Sequence, residues 1–129
     1  MRILIADDNT EVRDGIADIF TDHPDWEVCG QANDGADAVE KVRELKPDLI
    51  LLDISMPGMN GLEAARKIRQ ISAAKIIVMS QHDPKMLAPR ALQAGAQGCL
   101  DKSKLSSELI PTIEAILKEP GATSAKPSV

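Results

Sequence analysis

Aromatic residues are nearly missing from this chain: there is one Trp, one Phe and no Tyr among 129 residues. A core must therefore be built from Ile, Leu, Val, Ala and Met. Cysteine is scarce as well. The two thiols, Cys29 and Cys99, are far apart in sequence and each sits in an apolar run. That pattern reads as buried thiols in a reducing compartment and argues against a disulfide or a metal-thiolate site. No apolar stretch approaches the roughly 20 residues of a membrane span. The opening segment MRILIADD lacks the apolar region of a secretory signal, so a cytoplasmic location is expected. Basic residues are outnumbered: 15 Lys and Arg face 20 Asp and Glu, for a net charge of −5. With no basic stripe, the chain itself is not expected to bind nucleic acid, because phosphate contacts need clustered Lys and Arg.

What remains is ordered by alternation. Short aliphatic runs occur at Ile3–Ala6, Glu27–Gly30, Leu49–Leu52, Ile76–Met79 and Gly98–Leu100. Several are nearly continuous, as in parallel strands buried on both faces. Between them apolar residues recur at helical spacing. Val12, Ile16, Ile19 and Phe20 form one stripe, and Leu109, Ile113, Ile116 and Leu117 form another. Asn60 followed by Glu63 has the form of a capping box. Pro84 suits the first position of a fourth helix. Pro47-Asp48 closes the second helix and frees the third strand to begin. Pro89 falls inside the fourth helix and is expected to kink, shorten or delay it.

Five strands alternating with five helices give an α/β fold: one doubly wound parallel sheet in the flavodoxin-like order 2-1-3-4-5. The domain is expected over residues 1–119. Residues 120–129 (PGATSAKPSV) have little to bury and read as a flexible tail or the stub of a linker.

In such a sheet the ligand site lies at the carboxyl ends of the strands. Asp7 and Asp8 follow the first strand, Asp53 the third, Ser80 the fourth and Lys102 the fifth. Clustered carboxylates repel one another unless a cation intervenes. Mg²⁺ suits the set, because it prefers hard oxygens and uses one or two carboxylates together with phosphate oxygens. A carboxylate held there can attack phosphorus and form an acyl phosphate, with a lysine and a hydroxyl to stabilise the transferring group. A helix N-terminus near Asp53 could add N–H donors. Taken singly, each of these residues has a bland reading as a cap, a loop hydroxyl or a surface lysine. Their shared edge is what singles them out. His23 and His82 read as exposed loop residues, with His82 close enough to border the site.

The acidic pair Asp7-Asp8, the segment Asp53-Ile-Ser-Met-Pro-Gly-Met-Asn-Gly61, Ser80 and Lys102-Ser103 together resemble the receiver domain of bacterial two-component response regulators. The resemblance covers residues 1 to about 119. The run Ala94-Gly-Ala-Gln-Gly98 is similar to the NarL/FixJ (LuxR-type) subfamily. The resemblance implies that Asp53 is the phosphoacceptor. It also implies that Asp8, Asp53 and the backbone carbonyl of Ser55 hold Mg²⁺, with Asp7 in support. Ser80 and Lys102 would contact the phosphoryl oxygens. A sensor histidine kinase is the implied donor. The implied readout is a homodimer or an effector contact through the face made by helix 4, strand 5 and helix 5, in the service of transcription regulation. The protein would then be a switch and not a turnover enzyme. One departure stands out: the family usually has Tyr or Phe three residues before the lysine, where this chain has Cys99. That departure keeps a second reading open, an unphosphorylated pseudo-receiver that acts as an interaction module. A phosphatase of the haloacid dehalogenase kind would need a second acid two places after its nucleophile, where Ser55 stands. A flavodoxin would need a hydroxyl-rich phosphate loop in place of Asp7-Asp8.

Overall fold

The computed structural model describes residues 1–81 and 84–118. Strands β1 (Arg2–Ala6), β2 (Glu27–Ala32), β3 (Leu49–Asp53), β4 (Lys75–Ser80) and β5 (Gly98–Asp101) alternate with helices α1 (Thr10–Ile19), α2 (Gly35–Leu45), α3 (Gly61–Arg69), α4 (Pro84–Gln93) and α5 (Leu105–Lys118). All strand pairs are parallel, and their order is β2-β1-β3-β4-β5. The expected topology is therefore the observed one.

The sheet divides the core in two because successive strand residues point to opposite faces. Leu4, Ile50, Leu52, Ile76 and Val78 face one way and meet Val42, Leu62, Ala65 and Ile68, with Ala91 of α4 and Ala94 just beyond it. Ile3, Ile5, Leu49, Leu51, Ile77 and Met79 face the other way and meet Ile16, Phe20, Leu109, Ile113 and Ile116. All five residues of β3 are buried, as a central strand covered on both sides requires. Each fully buried aliphatic side chain stabilises the fold by roughly 1.5–3 kcal/mol relative to exposure.

The structure amends several expectations. Asp53 and Ser80 are the last residues of β3 and β4, not the first residues beyond them. Helix α1 stops at Ile19, and Phe20 opens a 3-10 turn, Phe20–Asp22, while remaining in the core. Leu117 is 49 % exposed and leaves the buried stripe of α5, whose core members are Leu105, Leu109, Ile113 and Ile116. The cysteines are free but only partly buried. They lie on β2 and β5, at opposite edges of the sheet. Cys29 is the extra residue of a bulge, since Ile3 pairs with Val28 while Leu4 pairs with Gly30. Helix α4 begins at Pro84 as expected but is neither delayed nor ended by Pro89, which lies within it. Pro111 lies inside α5 in the same way. His82 and the tail 120–129 fall outside the described residues.

Candidate functional site

The carboxyl ends of four strands, β1, β3, β4 and β5, and the loops that follow them build the site. Asp7 follows β1 directly, and its backbone N–H bonds to the Ala32 carbonyl of β2 at 3.0 Å. One carboxylate oxygen of Asp7, Oδ1, accepts the Asn9 N–H at 2.9 Å, so the acid also shapes the turn into α1. Asn9 then caps that helix, accepting from the N–H groups of Glu11 and Val12. Asp53 ends β3, and its Oδ1 accepts the Ser55 N–H at 3.0 Å. This donor comes from the residue's own loop. The nearby start of α3 bonds elsewhere, with Gly61 N–H donating to the Ile54 carbonyl at 3.1 Å. Gly61 is required there: a Cβ would stand 2.4 Å from the Asp53 carbonyl oxygen and 2.8 Å from Ile54 Cα. Gly58, at φ +73°, supplies the left-handed turn of the same loop. Asn60 caps α3 through the Glu63 N–H at 3.0 Å, which is one half of the expected capping box.

Asp7 and Asp53 are 0 % and 1 % exposed, and Ser80 is 3 % exposed. Asp8 is exposed. Oxygens of Asp7, Asp8 and Asp53 lie within 4.8 Å of one another. Lys102, the first residue beyond β5, brings its ammonium 2.6 Å from Asp7 Oδ2 and 3.2 Å from Asp53 Oδ2. Apart from that ion pair, no hydrogen-bond donor among the described residues reaches either buried oxygen. Burial raises the Asp53 carboxyl above the ordinary range, and the Asp7 charge adds to the rise. The Ser55 N–H and the Lys102 ammonium oppose it. Burial works to lower the Lys102 ammonium, but the two carboxylates outweigh it and the net shift is upward.

A cavity of about 590 Å³ opens over this group, lined by Asp8, Asp53, Ser55, Lys102 and the first turn of α1. Gln81, the residue after Ser80, lines it as well. Sequence reasoning passed over Gln81, although its place directly beyond β4 was the available signal. His23 is remote from this edge and stacks on Trp26, with ring centroids 5.0 Å apart. The donor set suits a hard divalent cation. Three carboxylates against one ammonium leave the site two charges negative, and two buried oxygens have no other donor.

The sequence pattern of the response regulator receiver domain matches residues 3–114. The chain belongs to this family. It is 38 % identical over 117 residues to the response regulator GacA of Pseudomonas viridiflava, covering 90 % of this chain and 55 % of that protein. The chain thus spans about half the length of the curated relatives it matches. Among solved structures, it resembles a LuxR-family two-component response regulator from Aurantimonas sp. SI85-9A1. That likeness has a TM-score of 0.84 at 38 % identity and covers 90 % of this chain and 84 % of the other. The signal receiver domain of the response regulator NarL from Mycobacterium tuberculosis matches with a TM-score of 0.83 at 32 % identity, covering 92 % and 97 %. These relatives agree with the subfamily resemblance carried by Ala94–Gly98. This is a receiver domain of two-component signalling. Among its described residues, no helix is long and apolar enough to cross a membrane.

Proposed function

We propose that this receiver is a phosphoacceptor switch and that Asp53 takes the phosphoryl group. The observation that supports it most is the buried Asp53 carboxylate at the floor of an open acidic cavity, in contact with a nearly buried lysine. In this reading an Asp53 oxygen attacks phosphorus in line. The bond from phosphorus to the donor's imidazole nitrogen breaks, and the freed imidazole takes a proton from solvent. No protein base is needed, because the nucleophile is already ionised at neutral pH. Lys102 turns from its carboxylates toward the new phosphoryl oxygens, and Ser80 donates its hydroxyl to them. Asp8, Asp53 and the Ser55 carbonyl would hold Mg²⁺, with Asp7 in support. When bound, the ion neutralises charge on the transferring group.

A sensor histidine kinase fits as donor. The output is a change of conformation read by an effector domain, a partner or a second copy, in transcription regulation. The exposed Met86 and Leu92 on α4 and Leu117 on α5 favour the α4–β5–α5 face as that readout. In this reading the receiver domain spans residues 1–119, with 120–129 as a tail or linker stub.

The test is intact-mass analysis after incubation with acetyl phosphate, with and without Mg²⁺, on this chain and on Asp53→Ala. One phosphate per chain, dependent on Mg²⁺ and lost in the variant, is the expected result. No adduct from acetyl phosphate or from a panel of kinases would leave the pseudo-receiver reading, an interaction module with Cys99 in place of the family's aromatic.

A further inference from the structure

The exposed acid of the site has no side-chain support. Among the described residues, none makes a hydrogen bond or ion pair to the Asp8 carboxylate, so its position depends on the backbone that carries it. The backbone immediately before it is held at both polar groups. Asp7 N–H donates to the Ala32 carbonyl at 3.0 Å. The Asp7 carbonyl, part of the peptide that leads into Asp8, accepts from Nη1 of Arg13. Arg13 is itself anchored twice more. Its Nε donates to Gln31 Oε1 at 2.9 Å, and its Nη2 donates to Thr10 Oγ1 at 3.0 Å. Gln31 and Ala32 are consecutive residues of β2, paired with Ile5 and Ala6. One guanidinium therefore joins the end of β1, the neighbouring strand and the first turn of α1.

Charge pairing is not what this arginine does, since no carboxylate among the described residues forms an ion pair with it. Its use lies in its shape: a planar fork with five donors in fixed directions meets three acceptors at once. A lysine ammonium is a point charge on a flexible stem and cannot reproduce that geometry.

We propose that Arg13 is a positioning residue for cation capture: it pins the Asp7–Asp8 peptide so that the Asp8 carboxylate is held ready for Mg²⁺. The proposal rests on the reading of the acidic group as a Mg²⁺ site. Groups that orient metal ligands from behind commonly contribute 10–100-fold to affinity. The sign of the effect separates positioning from electrostatics. A cation beside an acidic group repels a second cation, so loss of the Arg13 charge alone would tighten Mg²⁺ binding. Loss of the pin would weaken it.

The experiment is a calorimetric Mg²⁺ titration of the full chain, with Arg13→Ala and Arg13→Lys alongside. It is paired with acetyl phosphate labelling rates across a range of Mg²⁺ concentrations. Arg13→Ala is expected to bind Mg²⁺ roughly 10–100-fold more weakly. Arg13→Lys should stay closer to the alanine variant than to the parent. The labelling rate at saturating Mg²⁺ should remain within about twofold of the parent, with the loss confined to the half-saturating concentration. Unchanged or tighter binding in folded Arg13→Ala overturns the proposal, and so does full recovery by lysine. Should Arg13→Ala not fold, Gln31→Ala removes one anchor of the fork, and unchanged Mg²⁺ affinity there overturns it equally. If the parent chain binds no Mg²⁺, the site reading falls and this proposal with it. If the parent binds and Arg13→Ala binds as well, the proposal alone falls.

Discussion

Burial and the Asp7 charge together outweigh the Ser55 N–H and Lys102, so the Asp53 carboxyl lies above the ordinary carboxylate range in the folded protein. A carboxyl raised on folding binds its proton more tightly in the native state, so stability falls as pH rises from the ordinary carboxylate range to the native value. Asp53→Asn removes that cost. It should be more stable than the parent at neutral pH, by on the order of 1 kcal/mol, with the difference shrinking as pH falls through the carboxylate range. Urea unfolding at pH 7 and at pH 4 reads this directly. The same shift carries into reactivity, since only ionised Asp53 is a nucleophile. Mg²⁺ bound beside Asp53 would oppose this shift and favour the ionised nucleophile. Lys102 has the opposite linkage. Its raised native value means that its stabilisation is present below the ordinary lysine range and is lost as pH climbs through the native value. Lys102→Ala leaves Asp7 and Asp53 buried without a counter-charge and should destabilise by about 3 kcal/mol in metal-free buffer. Added Mg²⁺ should recover more stability in this variant than in the parent. Equal responses to Mg²⁺ in thermal melts would count against a cation bound between these acids.

At the scale of elements, the two helices that frame the proposed readout face each carry an internal proline, Pro89 in α4 and Pro111 in α5. Proline removes a helical hydrogen bond, here to the carbonyl of Lys85 or Ser107, and commonly costs about 3 kcal/mol. Both prolines are exposed, so the defect falls on the solvent side and the buried stripe is untouched. That placement explains why the expected shortening of α4 does not occur: Leu87, Ala91 and Ala94 still pack on the core. It also makes a simple prediction. Pro89→Ala and Pro111→Ala lose no packing and gain a backbone bond, so each should stabilise by about 1 kcal/mol after the greater freedom of the unfolded chain is counted. Denaturant midpoints check it, and a loss of stability in either variant would show that the proline ring makes contacts of its own.

For the whole molecule, the parallel sheet was legible because three of its runs are continuous aliphatic segments, a pattern that burial on both faces imposes. The site was legible for a related reason: β1, β3, β4 and β5 all point one way, so residues at their ends meet whatever their separation in sequence. What the sequence could not reveal lies in side-chain reach and partial exposure. Nothing in the spacing of Arg13 shows that its guanidinium reaches back to the Asp7 carbonyl. Nothing in the apolar runs around Cys29 and Cys99 shows that edge strands leave both thiols partly open. The proposed boundary near residue 119 can be tested through the same packing. The last buried side chain of α5 is Ile116, 6 % exposed, which lies under β5 so closely that a Cβ on Gly98 would stand 3.2 Å from its Cδ1. Removing residues 119–129 should therefore leave the urea midpoint and acetyl phosphate labelling of the chain unchanged. Removing residues 115–129 strips Ile116 from the α1–α5 side of the core and should cost about 2–5 kcal/mol, the scale of deleting a large buried aliphatic. If the shorter cut already lowered the midpoint, residues beyond Lys118 would belong to the folded unit, and the boundary would move toward Val129.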